Sequence, residues 1–414
     1  LPQQPYYRHT LQTLDTTHWR GYSSSVFEAG WAKKNITPPE PVALAGYGKR
    51  VGRKYKQVLD SVYVRALVFK SDSVKAALVT MDLLIVPMEL TEQLQQVLPD
   101  GYSLHNTYLS ATHTHHSTGN WARNPAGWVM AGRFRKKRVR QLALQIVEAI
   151  KKAEKNTVPA AVGFTAIPAP HLIKNRLVAG GETDSLLRIV KLKKQDGTIA
   201  VLASFSAHPT NLASDDLVLS ADYPGVLVRE LEQLPEVDFA AFAAGAVGSQ
   251  KCAAAGTDRE KAVKTGTELA QKAAQLLQEI HLQPITKLQT IHLPLHLPEP
   301  HWRIGDYKRL APGVFHTFFG NYPAFLSGLA VNDMVFLGTP VDFPAALLPK
   351  LQQQAKQQNL HVMVTSFNGG YMGYVVPDEQ FKLNKYESRA MNFYGPYAGS
   401  YLQQLLLIMI NKLH

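Results

Sequence analysis

The sequence predicts an α/β protein in which mixed β-sheets are covered by helices in several layers. Apolar strand-like runs alternate with helical stretches from residue 26 onward, which is the pattern of α/β folds. Four long stretches carry apolar residues at three- and four-residue spacing, as helices that cover a sheet do. The apolar fraction of 45% and the charged fraction of 18% are typical of a globular chain with a large core.

The predicted elements follow one another in chain order. Residues 1–25 are polar and aromatic without sustained periodicity, and we interpret them as an N-terminal extension. Strands are predicted at 62–69 and 75–82, followed by a helix from about Glu89. Long helices are predicted at 128–155, 258–280, 344–358 and 397–412, and further strands end near Ser110, Ser206, Ala244, Leu337 and Thr365. No internal repeat or low-complexity linker interrupts the series, so residues 26–414 are predicted to form one domain.

The charge balance favours anionic partners. Lys and Arg outnumber Asp and Glu by 44 to 32, which gives a net charge of +12 and a surface that attracts phosphates, anionic lipids or acidic glycans. The densest basic run, residues 133–140, opens a predicted helix, where it could be a solvated helix face or a footprint on an anionic membrane. No basic repeat with aromatic residues and no zinc-finger spacing occurs, so we expect no nucleic-acid partner.

The cysteine count limits the metal chemistry. Cys252 is the only cysteine of the sequence, which excludes an internal disulfide and a cysteine-rich metal site, so a transition metal would need His, carboxylate or phenolate ligands. No apolar run is long enough to span a bilayer. Because the chain begins at Leu1 and not at a methionine, we expect that a signal or anchor has been removed and that the protein acts in a bacterial periplasm, at the cell envelope or outside the cell.

Histidines follow two of the predicted strands directly. His113 and His115 come after the run that ends at Ser110, and residues two apart in an extended segment share a face. His208 follows the run that ends at Ser206. Binding sites of α/β sheets lie at the carboxyl ends of strands, which favours a shared metal site. Solvent-exposed, capping or hydrogen-bonded structural histidines remain the alternative.

Two later segments add oxygen ligands. Asp342 stands between apolar neighbours after the strand that ends near Leu337, and a buried carboxylate needs a cation or strong donors. Asp342 could instead cap a helix that begins near Pro344. The segment 366–377 is rich in glycine, which allows close backbone approach to a ligand, and its tyrosines supply polar groups.

These segments resemble the neutral ceramidase family in sequence and in order, over roughly residues 26–406. The matching motifs are Gly30-Trp31, Asn35-Ile36-Thr37-Pro38, Ala45-Gly46-Tyr47-Gly48, Ser110-Ala111-Thr112-His113-Thr114-His115, Ala207-His208-Pro209-Thr210, Gly369-Gly370-Tyr371-Met372-Gly373-Tyr374, Pro377-Asp378-Glu379, Lys385-Tyr386-Glu387 and Tyr394-Gly395-Pro396. The His-Thr-His element is the most specific of them.

The resemblance implies one zinc ion per chain, held by two histidines, a carboxylate and a tyrosine. By position these ligands are His113, His208, Asp342 and Tyr374, and the family usually has Glu in place of Asp342. Tyr371, three residues before Tyr374, is the alternative phenol ligand if the loop is shifted. The resemblance further implies catalytic roles for three residues: proton transfer by His115, a polar anchor at Arg176 and a position near the scissile carbonyl for Tyr386.

The implied activity is hydrolysis of an N-acyl amide bond by metal-activated water, with a ceramide-like lipid as substrate and contact with an anionic membrane. One departure bears on the substrate: the ceramidase motif Gly-Asp-Val-Ser-Pro-Asn aligns with residues 245–250, where Gly248 replaces the serine and Ser249 follows it. This argues against a serine nucleophile. The alternatives are another amide or ester substrate, such as a cell-envelope N-acyl compound, and a non-catalytic metal-stabilised binding protein. Because the chain ends at His414, we expect the β-sandwich domain that follows in ceramidases to be missing.

Overall fold

The computed structural model describes residues 1–72, 74–306 and 308–413. The helices are α1 (Pro5–Thr16), α2 (Met88–Val97), α3 (Pro125–Ala131), α4 (Lys136–Lys155), α5 (Asp222–Glu232), α6 (Asp258–Leu277), α7 (Pro312–Phe319), α8 (Leu348–Gln357) and α9 (Ala398–Asn411). The strands are β1 (Arg20–Ser23), β2 (Glu28–Asn35), β3 (Leu44–Ala45), β4 (Gln57–Val58), β5 (Tyr63–Lys70), β6 (Lys75–Met81), β7 (Thr107–Ala111), β8 (Ser117–Thr118), β9 (Val158–Pro168), β10 (Ile173–Asn175), β11 (Leu186–Lys194), β12 (Ile199–Phe205), β13 (Val218–Leu219), β14 (Phe239–Ala244), β15 (Gln250–Cys252), β16 (Gln283–Pro284), β17 (Lys287–Pro294), β18 (Phe325–Val331), β19 (Met334–Gly338) and β20 (His361–Thr365).

Two mixed sheets form the centre of the fold. The larger sheet has the strand order β14-β12-β11-β9-β2-β5-β6-β7, with β16 paired to β9, and the smaller sheet has the order β1-β17-β18-β19-β20. The pairs β6–β7, β12–β14 and β19–β20 are parallel, whereas the other neighbours in these two sheets are antiparallel. The parallel pairs are the ones that carry the predicted site segments.

The sheets pack face to face, and each outer face is covered by helices. Side chains of both sheets, such as Leu78 and Leu202 of the larger and Leu329 and Phe336 of the smaller, share one apolar core. A second core joins the larger sheet to α2, α4, α5 and α6, and a third joins the smaller sheet to α1, α8 and α9. The resulting order of layers, helix, sheet, sheet and helix, confirms the predicted multi-layer α/β class.

The predicted strands that precede the site residues are confirmed, whereas one predicted helix is divided in two. The expected helix 128–155 consists of α3 and α4, separated by Gly132, which adopts a positive φ of 76°. The side chain of Asn124 caps α3, and Pro125 occupies its first turn, so this short helix has its own start signal. Helical spacing continues across the break, which is why periodicity alone did not reveal it.

The first 25 residues, predicted as an extension, include a helix and a strand packed on the rest of the chain. The hydroxyl groups of Thr10 and Tyr401 lie 2.7 Å apart, and Trp19 donates a hydrogen bond to the backbone of Met409. Strand β1 pairs with β17 at the edge of the smaller sheet. Among the described residues, the helices include none with the length and apolar content that a membrane span requires.

The carboxyl ends of five strands, β7, β12, β14, β19 and β20, meet at one place between the sheets. The amide of Ser366 after β20 donates to the carbonyl of Ala244 in β14, and the amide of Gly248 after β14 donates to the carbonyl of Phe343 after β19. These hydrogen bonds connect the two sheets at the edge where the predicted ligands emerge.

Candidate active site

His113 is held in an uncommon conformation at the end of β7. Its φ of +64° lies in the left-handed region, which costs a residue other than glycine free energy and is found most often at functional sites. Its ring stacks on Phe367, with ring centroids 3.6 Å apart and planes within 6°. Its Nδ1 lies 2.6 Å from the carbonyl oxygen of Leu84, so Nδ1 carries the proton and Nε2 presents a lone pair.

Three imidazole nitrogens converge on one point. The Nε2 atom of His113 lies 3.0 Å from that of His208 and 3.2 Å from that of His115, and the His115 and His208 Nε2 atoms are 3.0 Å apart. A tetrahedral metal with Zn–N bonds of about 2.0–2.1 Å would hold its ligand nitrogens roughly 3.3 Å apart. Burial lowers the pKa of His113 to about 3, and it lowers the pKa values of His115 and His208 well below the ordinary value. Neutral imidazoles are the form that binds metals, so the three residues fit a metal ion.

Asp342 is fully buried beside this cluster. Its Oδ2 accepts a hydrogen bond of 2.8 Å from the hydroxyl of Tyr371, whereas Oδ1 has no hydrogen-bond partner among the described residues. Oδ1 lies 3.6 Å from Nε2 of His113 and 3.8 Å from Nδ1 of His208. Burial raises the pKa of Asp342 to about 7, against the hydrogen bond from Tyr371. A cation between this carboxylate oxygen and the neighbouring imidazole nitrogens would give the buried oxygen the partner that it lacks.

The alternative role of Asp342 as a helix cap is not observed. A 3-10 turn begins at Ala345 with Pro344 at its cap position, and helix α8 follows it with Leu347 at its cap position. The carboxylate of Asp342 points instead to Tyr371 and the histidines.

The tyrosines and the arginine surround the remaining side of the cluster. Tyr374 pairs with Asp342 through a parallel backbone bridge, its ring lies parallel to His208 within 15°, and its hydroxyl accepts a 2.9 Å hydrogen bond from Arg176. Arg176 also forms an ion pair of 2.8 Å with Glu387. The ring of Tyr386 meets that of Tyr374 edge to face at 5.7 Å. Tyr371 therefore contacts the carboxylate through a hydrogen bond of 2.8 Å, and Tyr374 joins the carboxylate to Arg176.

A cavity with apolar walls adjoins His113 and His115. Together with the open solvent at its mouth, it comprises about 1120 Å³ of space. Its polar end contains His113, His115, Tyr371, Tyr374 and Tyr386. Its walls are largely aromatic and aliphatic and include Leu84, Ile85, Met88, Trp121, Met130, Phe315, Phe319, Phe393 and Tyr394. His208 and Arg176 are not among the residues that line it, so they support the site from behind.

Several residues of the site were not singled out in the sequence. Phe367 stacks on His113, Leu84 orients it, and Glu387 pairs with Arg176. Glu387 lies next to Tyr386 in a single π-helical turn, Tyr386–Ala390. Helix α7 contributes Phe315 and Phe319 to the aromatic wall, and its three phenylalanines within eight residues were a visible but unspecific signal.

The segment that departs from the ceramidase serine motif packs against the carboxylate segment. A Cβ atom on Gly248 would lie 2.4 Å from the backbone oxygen of Asp342, so no side chain fits there without a backbone shift. The Oγ atom of Ser249 accepts a hydrogen bond of 3.3 Å from the amide of Ala345, and Ser249 does not line the cavity. Neither position presents a hydroxyl group to the cavity.

Comparisons with known proteins show which family the chain resembles in sequence. The family profile "Neutral/alkaline non-lysosomal ceramidase, N-terminal" matches residues 27–262, more than half of the chain. The neutral ceramidase of Mycobacterium tuberculosis is 23% identical over 211 residues, which are 46% of this chain and 33% of that protein, so the match spans about a third of the relative's length.

Two solved structures share the fold. A ceramidase complexed with C2 superposes with a TM-score of 0.80 at 17% identity, and the neutral ceramidase from Pseudomonas aeruginosa superposes with a TM-score of 0.78 at 18% identity. Both comparisons cover 93% of this chain, and they cover 75% and 74% of the respective structures. With this fold, and with a family profile matched over more than half of its length, the chain belongs to the neutral/alkaline non-lysosomal ceramidase family.

Proposed function

We propose that the protein is a zinc-dependent hydrolase that cleaves the amide bond of a ceramide-like N-acyl lipid. The observation that carries the proposal is the convergence of three imidazoles beside an unpartnered buried carboxylate, with two of the imidazoles, those of His113 and His115, lining an apolar cavity. Membership of the ceramidase family supports the reaction class. The apolar walls provide the environment that an acyl chain needs, since burial of each methylene contributes about 0.8 kcal/mol.

The metal would be held by His113, His208 and Asp342, with Tyr374 as the fourth ligand. Nitrogen and oxygen donors without a thiolate suit zinc in a catalytic site. When bound, the ion would supply Lewis-acid activation of water and of the amide carbonyl. Tyr371 keeps the carboxylate of Asp342 oriented through its hydrogen bond, and Arg176 does the same for the hydroxyl of Tyr374.

His115 is assigned to proton transfer, although its Nε2 is as close to the cluster centre as those of the other histidines. Unlike His208, it lines the cavity, where a substrate amide would lie. Its Nδ1 has no hydrogen-bond partner among the described residues, so either tautomer is open to it, whereas Nδ1 of His113 is committed to Leu84. A residue that takes a proton from water and delivers it to the departing nitrogen needs this freedom.

Tyr386 is assigned to stabilise the oxyanion, and Arg176 is assigned to hold the tyrosines in position. Tyr386 lines the cavity, is half exposed and can reach a substrate carbonyl, while Arg176 lies behind Tyr374. The ion pair between Arg176 and Glu387 anchors the π-helical turn that carries Tyr386. Arg176 would therefore position two of the phenols that face the substrate.

A second candidate function is hydrolysis of another amide or ester in the same cavity. It is favoured by Gly248 and by the closely packed backbone around it, which differ from the serine motif of ceramidases. Purified protein should be assayed against ceramides, N-acyl amino acids and acyl esters, and its zinc content should be measured. Ceramide turnover with about one zinc per chain supports the first candidate, and turnover of the other substrates alone supports the second.

His113→Ala should lose both the metal and the activity, whereas His171→Ala, at an exposed histidine outside the cavity, should keep both. Full activity of the His113 variant in metal-free buffer would exclude the metal-dependent mechanism for both candidate substrates.

We further propose that the cavity opens toward an anionic membrane. Helices α3 and α7 contact each other and flank the cavity, with Met130 and Phe315 directed inward. Trp128 and Phe318 on the same helices are 41% and 50% exposed. Exposed basic residues in the neighbouring segments are Lys49, Arg53, Arg133, Lys308 and Arg309. Apolar side chains surrounded by cationic ones favour the interface of an anionic leaflet.

A further inference from the structure

The wall of the cavity contains a buried carboxylate that the proposed chemistry does not use. Glu89 lies in the first turn of α2, is 4% exposed and lines the cavity together with the catalytic histidines. Its Oε1 accepts two hydrogen bonds, 2.8 Å from the backbone amide of Arg123 and 3.0 Å from the hydroxyl of Tyr322. Among the described residues, its Oε2 accepts none.

In the part of the chain that the structure describes, no cationic side chain forms an ion pair with this carboxylate. The guanidinium of Arg123, whose backbone contacts Glu89, is directed away and forms an ion pair of 2.8 Å with Glu92. The positive end of the α2 dipole offsets part of the negative charge of Glu89. The neighbouring residues of the wall, such as Ile85, Met88 and Phe319, are apolar. A carboxylate in such surroundings loses free energy unless donors satisfy both of its oxygens.

The hydroxyl group of Tyr322 is already oriented by a second contact. Asn124 donates a 3.1 Å hydrogen bond to this oxygen, which leaves the Tyr322 proton directed to Oε1 of Glu89. Tyr322 and the Arg123 amide thus satisfy one carboxylate oxygen. The other oxygen remains available for a donor that a ligand brings into the cavity.

We propose that Glu89 binds a hydrogen-bond donor, a hydroxyl or an ammonium group, on the amine-derived half of the N-acyl substrate. This proposal rests on the proposed function and specifies its substrate class. Leu84, which orients His113, is five residues before Glu89, so the two backbone positions are at most roughly 18 Å apart. A lipid whose amide lies at the histidines can therefore place a polar group of its amine-derived half at Glu89 and its acyl chain along the aromatic wall.

Glu89 could instead have a purely structural role. Its hydrogen bonds connect α2 to the segment before α3 and to the segment before β18, which are three walls of the cavity. Glu89→Gln separates the two roles. Its amide oxygen can still accept from Tyr322 and Arg123, while its NH₂ group replaces the acceptor that would face the ligand. The matched control is Glu92→Gln on the same helix, which removes a charge at an exposed ion pair.

The test compares three long-chain N-acyl substrates: one with a hydroxyl group on its amine-derived half, one with an ammonium group there, and one with neither. The parent enzyme should prefer at least one donor-bearing substrate by roughly 10-fold or more in kcat/KM, since hydrogen bonds to charged groups contribute on that scale. Glu89→Gln should reduce this preference toward one, and Glu92→Gln should keep it. The ratio between the hydroxyl and ammonium substrates identifies the donor.

Calorimetry measures the binding of the corresponding free long-chain amino alcohol and of a plain alkylamine. This readout does not depend on turnover. If the parent cleaves no N-acyl substrate but binds the amino alcohol through Glu89, the proposed reaction fails and the recognition site stands. The proposal would be overturned if Glu89→Gln lowered kcat/KM equally on all substrates. It would also be overturned if the parent showed no preference for a donor-bearing ligand in either turnover or binding.

Discussion

The inner and outer ends of the cavity are built by different means. The inner end is formed by residues at the ends of strands in two sheets, and the proposed ligands there are buried, with His113 oriented by a backbone carbonyl and Asp342 by a phenol. What we call the outer end is the part of the cavity lined by α3 and α7, two helices of seven and eight residues with partly exposed apolar side chains. The difference indicates that reaction chemistry depends on rigid strand ends, whereas access and substrate choice depend on short helices that can vary without disturbing the sheets.

Removal of the cavity-facing imidazole should have the largest effect at the inner end. His115→Ala is expected to lower kcat by roughly 10²–10⁴-fold, the usual contribution of a positioned general base, while the protein keeps its metal. Steady-state kinetics measure kcat and a zinc analysis measures the bound metal, with His171→Ala as the control. Loss of the metal together with the activity would make His115 a ligand. A parent protein that binds zinc but cleaves none of the substrates tested would support the binding-protein alternative.

The buried carboxylate should make the metal-free protein sensitive to pH. The pKa of Asp342 is about 7 in the folded chain and about 3.9 in the unfolded chain, so burial imposes a stability penalty that is absent below about pH 4 and complete above about pH 7. Asp342→Asn removes this penalty and should stabilise the metal-free protein at pH 8 by up to about 4 kcal/mol, while weakening zinc binding. Denaturant unfolding at pH 4 and pH 8 measures the gain. An equal gain at both pH values would contradict a titrating carboxylate.

A side chain at position 248 should disturb the inner end without changing a ligand. Gly248→Ser places its Cβ 2.4 Å from the backbone oxygen of Asp342, which is too close, so we expect a loss of about 1–3 kcal/mol in stability and weaker metal binding. Thermal unfolding with and without zinc measures both effects. Gly305→Ser is the control, because a Cβ atom there has no neighbour within 4 Å among the described residues. Equal behaviour of the two variants would show that the strand-end segments are less rigid than proposed.

Changes at the outer end should leave the inner end intact and have the smallest effect. Trp128→Ser combined with Phe318→Ser is expected to reduce sedimentation with vesicles of phosphatidylcholine and phosphatidylserine several-fold, because apolar anchors contribute additively to interfacial binding. Val263→Ser, at a 54% exposed valine of α6, is the control. Zinc content should be unchanged in both proteins. Docking on an anionic surface through α3 and α7 would be contradicted if the parent, the double variant and the control sedimented equally. It would also be contradicted if binding persisted on vesicles of pure phosphatidylcholine.

Sequence reasoning was most successful where local pattern and chemistry coincide. The strands before His113, His208 and Asp342 were recognisable because buried strands in mixed sheets are continuous apolar runs, and the polar residue that ends such a run stands out. The structure brings together all seven predicted site residues, from His113 to Tyr386. Their individual roles remain predictions. The helix break at Gly132 was missed because helical spacing happens to continue across it.

The amino-acid sequence by itself determined the α/β class, the strand ends that carry the proposed ligands and the exclusion of a cysteine-rich metal site, because these depend on residue type and short-range periodicity. The tertiary structure alone decided that Tyr371 contacts Asp342, that Glu89 lines the same cavity as His113 and His115, and that α3 and α7 both line it. These relations join residues tens to hundreds of positions apart, and they follow from how the two sheets pack together, which no local pattern encodes.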